Sequence, residues 1–313
     1  MPAHLPERRA LGIPAVAAAF AAAALFAGGS ALQQRAAGAA TADDESGIRL
    51  VVRLARRPAW LIGLVLSAGA FSMHAVALRL GNLALVQPVI VSGFVFAVLV
   101  RAGIDRRLPS RREIVWSVVT WAGLALFITV MPPMPDNRPE PTNAAIFLIV
   151  VVTGVGLLLA LARLLHSDRR RGVLLGAGAG AMFGLVAGLL KLFLTQASSG
   201  WIDGFRHWSP WALLAVGACA ILLNQRAYQV VELSVSAPVL NVVQVIVAIG
   251  FGLMVFRERL PETPAILVAE LVGLLLVILG VQQLASHDGP AVNRSTKHAE
   301  PAGEASNADQ GAS

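Results

Sequence analysis

Charge is scarce in this chain. Only 14% of its 313 residues are Asp, Glu, Lys or Arg, against about 25% in an ordinary soluble domain. So few charges cannot cover a surface facing water on every side, which excludes a soluble globular domain. Cysteine is scarcer still. The lone Cys219 excludes an intrachain disulfide and a cysteine-rich metal site; lying in an apolar run, it reads as a small core residue. There is no His/Cys cluster, no glycine–lysine phosphate loop and no serine in a nucleophile-elbow setting. These gaps argue against an enzyme and against ATP as a driving force, and nothing calls for a cofactor or a resident metal.

What is present is apolar. Hydrophobic residues make up 56% of the chain and the mean hydropathy is +0.70. Several runs of about 20 residues match the length a helix needs to cross the hydrocarbon core. Only helices and closed barrels satisfy their backbone in lipid, and barrel strands would alternate at period two. These runs are continuous. The sequence therefore predicts an all-α polytopic membrane protein with about nine transmembrane helices, at about 11–37, 58–80, 83–102, 113–130, 143–165, 172–196, 210–230, 233–256 and 264–285.

Residues 1–10 form a short N-terminal segment. Arg8 and Arg9 before an apolar run also describe a signal peptide. The run is long for one, and Gln33-Gln34-Arg35 continues it helically, so it is kept as the first span. Pro132-Pro133 ends the fourth span, 201–211 reads as an interfacial loop rich in Trp, and 286–313 reads as a disordered cytoplasmic tail. The net charge of +7 sits mostly as Arg at span ends, which orients a membrane protein and does not indicate nucleic acid. About five, five and four basic residues fall in alternate loops, against about one in each of the others. That asymmetry places the N-terminus outside and the C-terminus in the cytoplasm of a cell whose plasma membrane holds the chain. Arg8, Arg9, Arg257 and Arg259 run against it.

One stretch occurs twice. Ala77, Leu83, Pro88, Val89 and Val95 recur 150 positions later as Ala227, Leu233, Pro238, Val239 and Val245. Arg107-Leu108-Pro109 recurs as Arg259-Leu260-Pro261, two residues further along, and Gly123-Leu124 returns as Gly273-Leu274. The sequence thus reads as a first repeat over 11–131, a connecting helix at 143–166 and a second repeat over 172–285. Equivalent spans lie five apart, an odd number, so the copies point in opposite directions. Such inverted repeats are a common transporter plan, with the solute site near the midplane.

The Leu-x-x-x-x-Pro-Val cores at Leu83–Val89 and Leu233–Val239, the run Phe256-Arg257-Glu258-Arg259-Leu260, Gly273 and the segment Asn224–Tyr228 together resemble the drug/metabolite transporter superfamily. The resemblance covers about residues 11–285. Two departures stand out: nine spans replace the usual ten, and the first copy, Ile104-Asp105-Arg106-Arg107-Leu108, lacks the glutamate. The chain is thus similar to nine-helix EamA-like and NIPA-like members. The resemblance implies a secondary transporter of a small solute, whether metabolite, amphiphilic drug or cation. A NIPA-like magnesium or divalent-cation transporter is the alternative, although carboxylates for such a site are few. A non-transporting scaffold or receptor component is the alternative of another class. The expected partners are a small molecule or ion and the bilayer, and a homodimer is compatible with the pattern.

The polar residues within spans are the candidates for the pathway, since an ionisable group there is costly. Lys191 and Glu270 either line the passage, as a pair or as partners of a proton or solute, or are bland: Lys191 snorkelling, Glu270 shielded by packing. Gln34 aligns with Lys191 if Phe26 is set on Phe183. His74 and Asn224 occupy matching positions. Asn241 and Gln244, three apart, share a face. Gln87 and Ser92 are the polar residues of the third span. Gln34 either faces a shared cavity or simply ends its helix, His74 either relays a proton or makes a structural hydrogen bond, and the polar residues of the third and eighth spans either face a solute or join helices. Pro88 and Pro238 read as helix-bending. Gly180, Gly184 and Gly188 line one face, suited to close helix contact.

Overall fold

The computed structural model describes residues 5–38, 56–104, 106–131, 138–230, 233–258 and 263–285. The tail at 286–313 and Glu232 lie outside them, as does the side chain of Gln34. Among the described residues every regular element is a helix: α1 Leu5–Gly38, α2 Pro58–Leu80, α3 Leu83–Val91, α4 Phe94–Ile104, α5 Arg111–Val130, α6 Pro141–Leu164, α7 Asp168–Gln196, α8 Trp201–Arg206, α9 Ser209–Val230, α10 Leu233–Val255 and α11 Pro264–Ala285. Proline opens α2 and α6, where its missing N–H costs nothing. Ser110 and Glu113 close a reciprocal capping box on α5, satisfying two backbone donors at once.

Among the described residues, eight stretches are long and apolar enough to cross a membrane. The protein is an all-α, multi-pass membrane protein. The expected seventh span is present as the 22-residue α9 but is not among the eight, because Asn224-Gln225-Arg226 dilutes its apolar run. Ile149, Val150, Leu157 and Leu164 on α6 are exposed, as lipid-facing side chains should be.

Three expectations need correction. The third span is present as one stretch, Leu83–Ile104, but its helix is broken: α3 stops at Val91 and α4 starts at Phe94. Pro88 brings no N–H to the helix, Ser92 turns its hydroxyl onto the Val89 carbonyl at 2.7 Å, and Gly93 N–H bonds the Ile90 carbonyl in a tighter turn. The helix expected to match it, α10, runs unbroken through Pro238; Val242-Val243 stands 150 positions after Ser92-Gly93. The loop at 201–211 contains a short helix, α8. Cys219 is exposed rather than in the core.

Helix α7 is enclosed along most of its length, with α9 and α10 against it. Its glycine face is what admits α10. A Cβ at Gly176 would meet Ser236, one at Gly180 would meet Leu240, one at Gly184 would meet Gln244 and Val247, and one at Gly188 would strike the Phe251 ring. Both indices rise together, so α7 and α10 run parallel. The first half packs the same way: α1 lies on α2 and on α3–α4, with Gly93 against Ala23. Across the halves, α5 packs on α11 and α3 on α10. Gly123 faces Gly273 and Val277, Gly273 faces Phe127, and Gly280 faces Trp116 and Thr120. Here one index falls as the other rises, so α5 and α11 are antiparallel.

Candidate functional site: a buried ion pair and a polar seam between the halves

Lys191 lies five residues before the end of α7 and is 3% exposed, so it does not snorkel. Its partner is not Glu270. Its Nζ stands 3.3 Å from Oε1 of Glu258, donates to the Gly81 carbonyl at 3.0 Å and sits 4.7 Å from the centre of the Phe256 ring. A buried ammonium thus has an anion, a carbonyl and an aromatic face, the set that offsets desolvation.

Glu258 is 5% exposed. The chain brings it inward by turning sharply after α10: Arg257 takes φ 51°, and the Phe256 and Glu258 N–H groups both bond the Gly252 carbonyl at 3.1 Å. Gly252 leaves room for the Glu258 carboxylate, which a Cβ at this position would force to shift. That carboxylate then caps the start of α3, accepting from Leu83 N–H at 3.0 Å and Ala84 N–H at 3.3 Å. A negative charge against free N–H groups at a helix N-terminus is favourable. Lys191 and Glu258 belong to the second half; Gly81, Leu83 and Ala84 belong to the first. The pair therefore ties the halves together.

A second polar group lies deeper along α3. Gln87 is fully buried. Its Nε2 is 3.5 Å from His74 Nε2, and its Oε1 accepts from Gln244 Nε2 of the other half at 3.4 Å. His74 and Gln244 are thus brought together through Gln87. Asn224 and Asn241 are not joined to this chain: Asn224 Oδ1, Asn241 Nδ2, Ser236 Oγ and Glu270 Oε1 are buried atoms without a hydrogen-bond partner. Glu270 shares the buried face of α11 with Gly273, Val277 and Gly280, the face turned to α5. Gln33, next to Gln34, donates to Ser67 at 3.1 Å. No group of three or more His, Cys, Asp or Glu side chains that could hold a metal occurs among the described residues.

Glu258 is the residue that sequence reasoning passed over as a site. It stands between Arg257 and Arg259 in a loop after a span, where neighbouring charge makes solvation the natural reading. Its membership of the Phe256–Leu260 run was the available signal.

No family model matches the chain, and no solved structure matches it. An uncharacterized protein of Corynebacterium glutamicum is 28% identical over 228 residues, covering 71% of this chain and 77% of that protein. The likeness spans most of both chains and carries no activity with it.

Proposed function

We propose that this protein is a secondary transporter of the drug/metabolite type, moving a small solute by alternating access between two inverted halves. The observation that carries the reading is the polar seam from both halves inside an apolar bundle: His74 and Gln87 from the first, Gln244 from the second. Polar side chains are costly in a membrane interior and gather where a solute or water passes. The antiparallel crossing of α5 and α11, the expected equivalents, supports the inverted plan. So does the shared ending of α4 and α10: two residues past each helix, Arg106 and Arg257 take φ 50° and 51°. Asn224, Asn241, Ser236 and Glu270 add unpartnered polar atoms that a solute or coupling ion would satisfy.

The scaffold reading draws on the same seam, since Gln33–Ser67 and His74–Gln87–Gln244 pair among themselves. Uptake into vesicles of purified protein separates the two. Divalent cations, amino acids and amphiphilic amines are offered with and without an ion gradient. Saturable uptake above that of empty vesicles is expected for at least one class. Uptake equal to empty vesicles throughout favours the scaffold.

A further inference from the structure

We infer that the Lys191–Glu258 pair is the latch that closes one end of the passage, so that the resting protein is closed at that end. The inference rests on the transporter reading above.

The latch lies where α2, α7 and α10 finish and α3 begins. Its two charged side chains come from one half and close on the backbone of the other, at Gly81, Leu83 and Ala84. Only contacts between halves must break when the halves rock. Hydrogen bonds between these charged groups and the backbone of the other half suit that duty. The ion pair stays within its own half, and the desolvation of its two charges is recovered when water enters. An apolar seal would instead expose its whole area on opening. The carboxylate also sits on a short arm beyond a helix end, after the left-handed Arg257, in a recess kept open by Gly252.

The duplication supplies the asymmetry. Aligned through the Arg-Leu-Pro tripeptides, the first-half counterpart of Glu258 is Arg106, and aligned through the two left-handed turns it is Arg107; with Phe26 set on Phe183, the counterpart of Lys191 is Gln34. Neither arginine can make a lysine–carboxylate pair with Gln34. Among the described residues, the charged contacts at the opposite end are partly or fully exposed. Arg107 and Glu113 pair at 2.9 Å within the first half, and Arg112 reaches Gln283 of the second half at 3.0 Å in an exposed position. By the charge rule the latched end is the outer one.

The test uses a cysteine reporter beside the carboxylate, Ala84→Cys in a Cys219→Ser background, labelled with a membrane-impermeant maleimide on intact cells and on inverted vesicles. Ala84 is buried, so the parent should label slowly from both sides. Glu258→Gln should raise the rate from one side only by about tenfold, as when an open state of about 1% grows to about 10%. Gly252→Ala should do the same by a different route, expelling the carboxylate while both charges remain. Fast labelling of the parent overturns the latch. So do unchanged rates in both variants when these are inserted and monodisperse. Uptake by the same variants keeps the two ideas apart. Labelling that responds to the latch without uptake of any solute sinks the transport reading alone; uptake with unresponsive labelling sinks the latch alone.

Discussion

Gly123 and Gly273, 150 positions apart in the chain, face each other across the α5–α11 contact. A Cβ built on either glycine would lie 2.8 Å from the carbonyl oxygen of the other. Such reciprocity is what the proposed two-fold relationship between the halves would impose on equivalent residues. It also lets the two backbones approach as closely as small residues allow in a membrane, where packing rather than water drives association.

Replacing either glycine with alanine should force the helices apart. Each single variant is expected to lose about 1–3 kcal/mol, read as a lower thermal midpoint in detergent. Because the two substitutions push on one contact, the double variant should cost less than their sum. Strict additivity would show that the glycines do not share that contact.

The mutational costs of the buried ion pair should be strongly non-additive. Lys191→Met strands the Glu258 carboxylate, and Glu258→Gln strands the ammonium. Leaving one buried charge alone typically costs about 3–5 kcal/mol. The combined Lys191→Met, Glu258→Gln variant removes both charges and should recover much of that loss. Thermal midpoints of the four proteins close the cycle.

The two left-handed arginines predict opposite outcomes for one substitution. A side chain at this φ costs about 1–2 kcal/mol that glycine avoids, so Arg106→Gly should stabilise the protein modestly. Arg257→Gly also gives up the ion pair with Glu140 and loosens the turn that presents Glu258, so it should gain less or lose. Equal shifts in thermal midpoint would contradict this.

Glu270 provides a functional prediction. Its Oε1 is buried without a partner on the α5-facing side of α11. Glu270→Gln keeps shape and removes the charge, so insertion and thermal midpoint should hold while uptake is abolished or uncoupled from the ion gradient. Uptake unchanged in rate and in gradient dependence removes Glu270 from the mechanism.

Much of this protein could be read in one dimension. Continuous apolar runs predicted a helical membrane protein, because lipid admits no other way to satisfy the backbone over such a length. The glycine spacing on α7 predicted a close helix contact, and that face does admit α10. Periodicity places residues on faces, and these features depend on faces alone.

The rest depended on which helix ends meet. Nothing in the run of residues pairs Lys191 with Glu258 rather than with Glu270: separation along the chain is 67 residues in one case, and both carboxylates lie in or beside apolar segments. The choice is made where α7, α10 and the start of α3 converge, and a turn after α10 swings Glu258 inward. The break at Ser92-Gly93 is likewise a local competition between hydroxyl, proline and close packing on Ala23. Composition and spacing therefore determined the class of molecule, an all-α membrane protein. The pairing of charges was decided by tertiary structure, because electrostatic partners are set by distances of a few ångströms that sequence order does not encode.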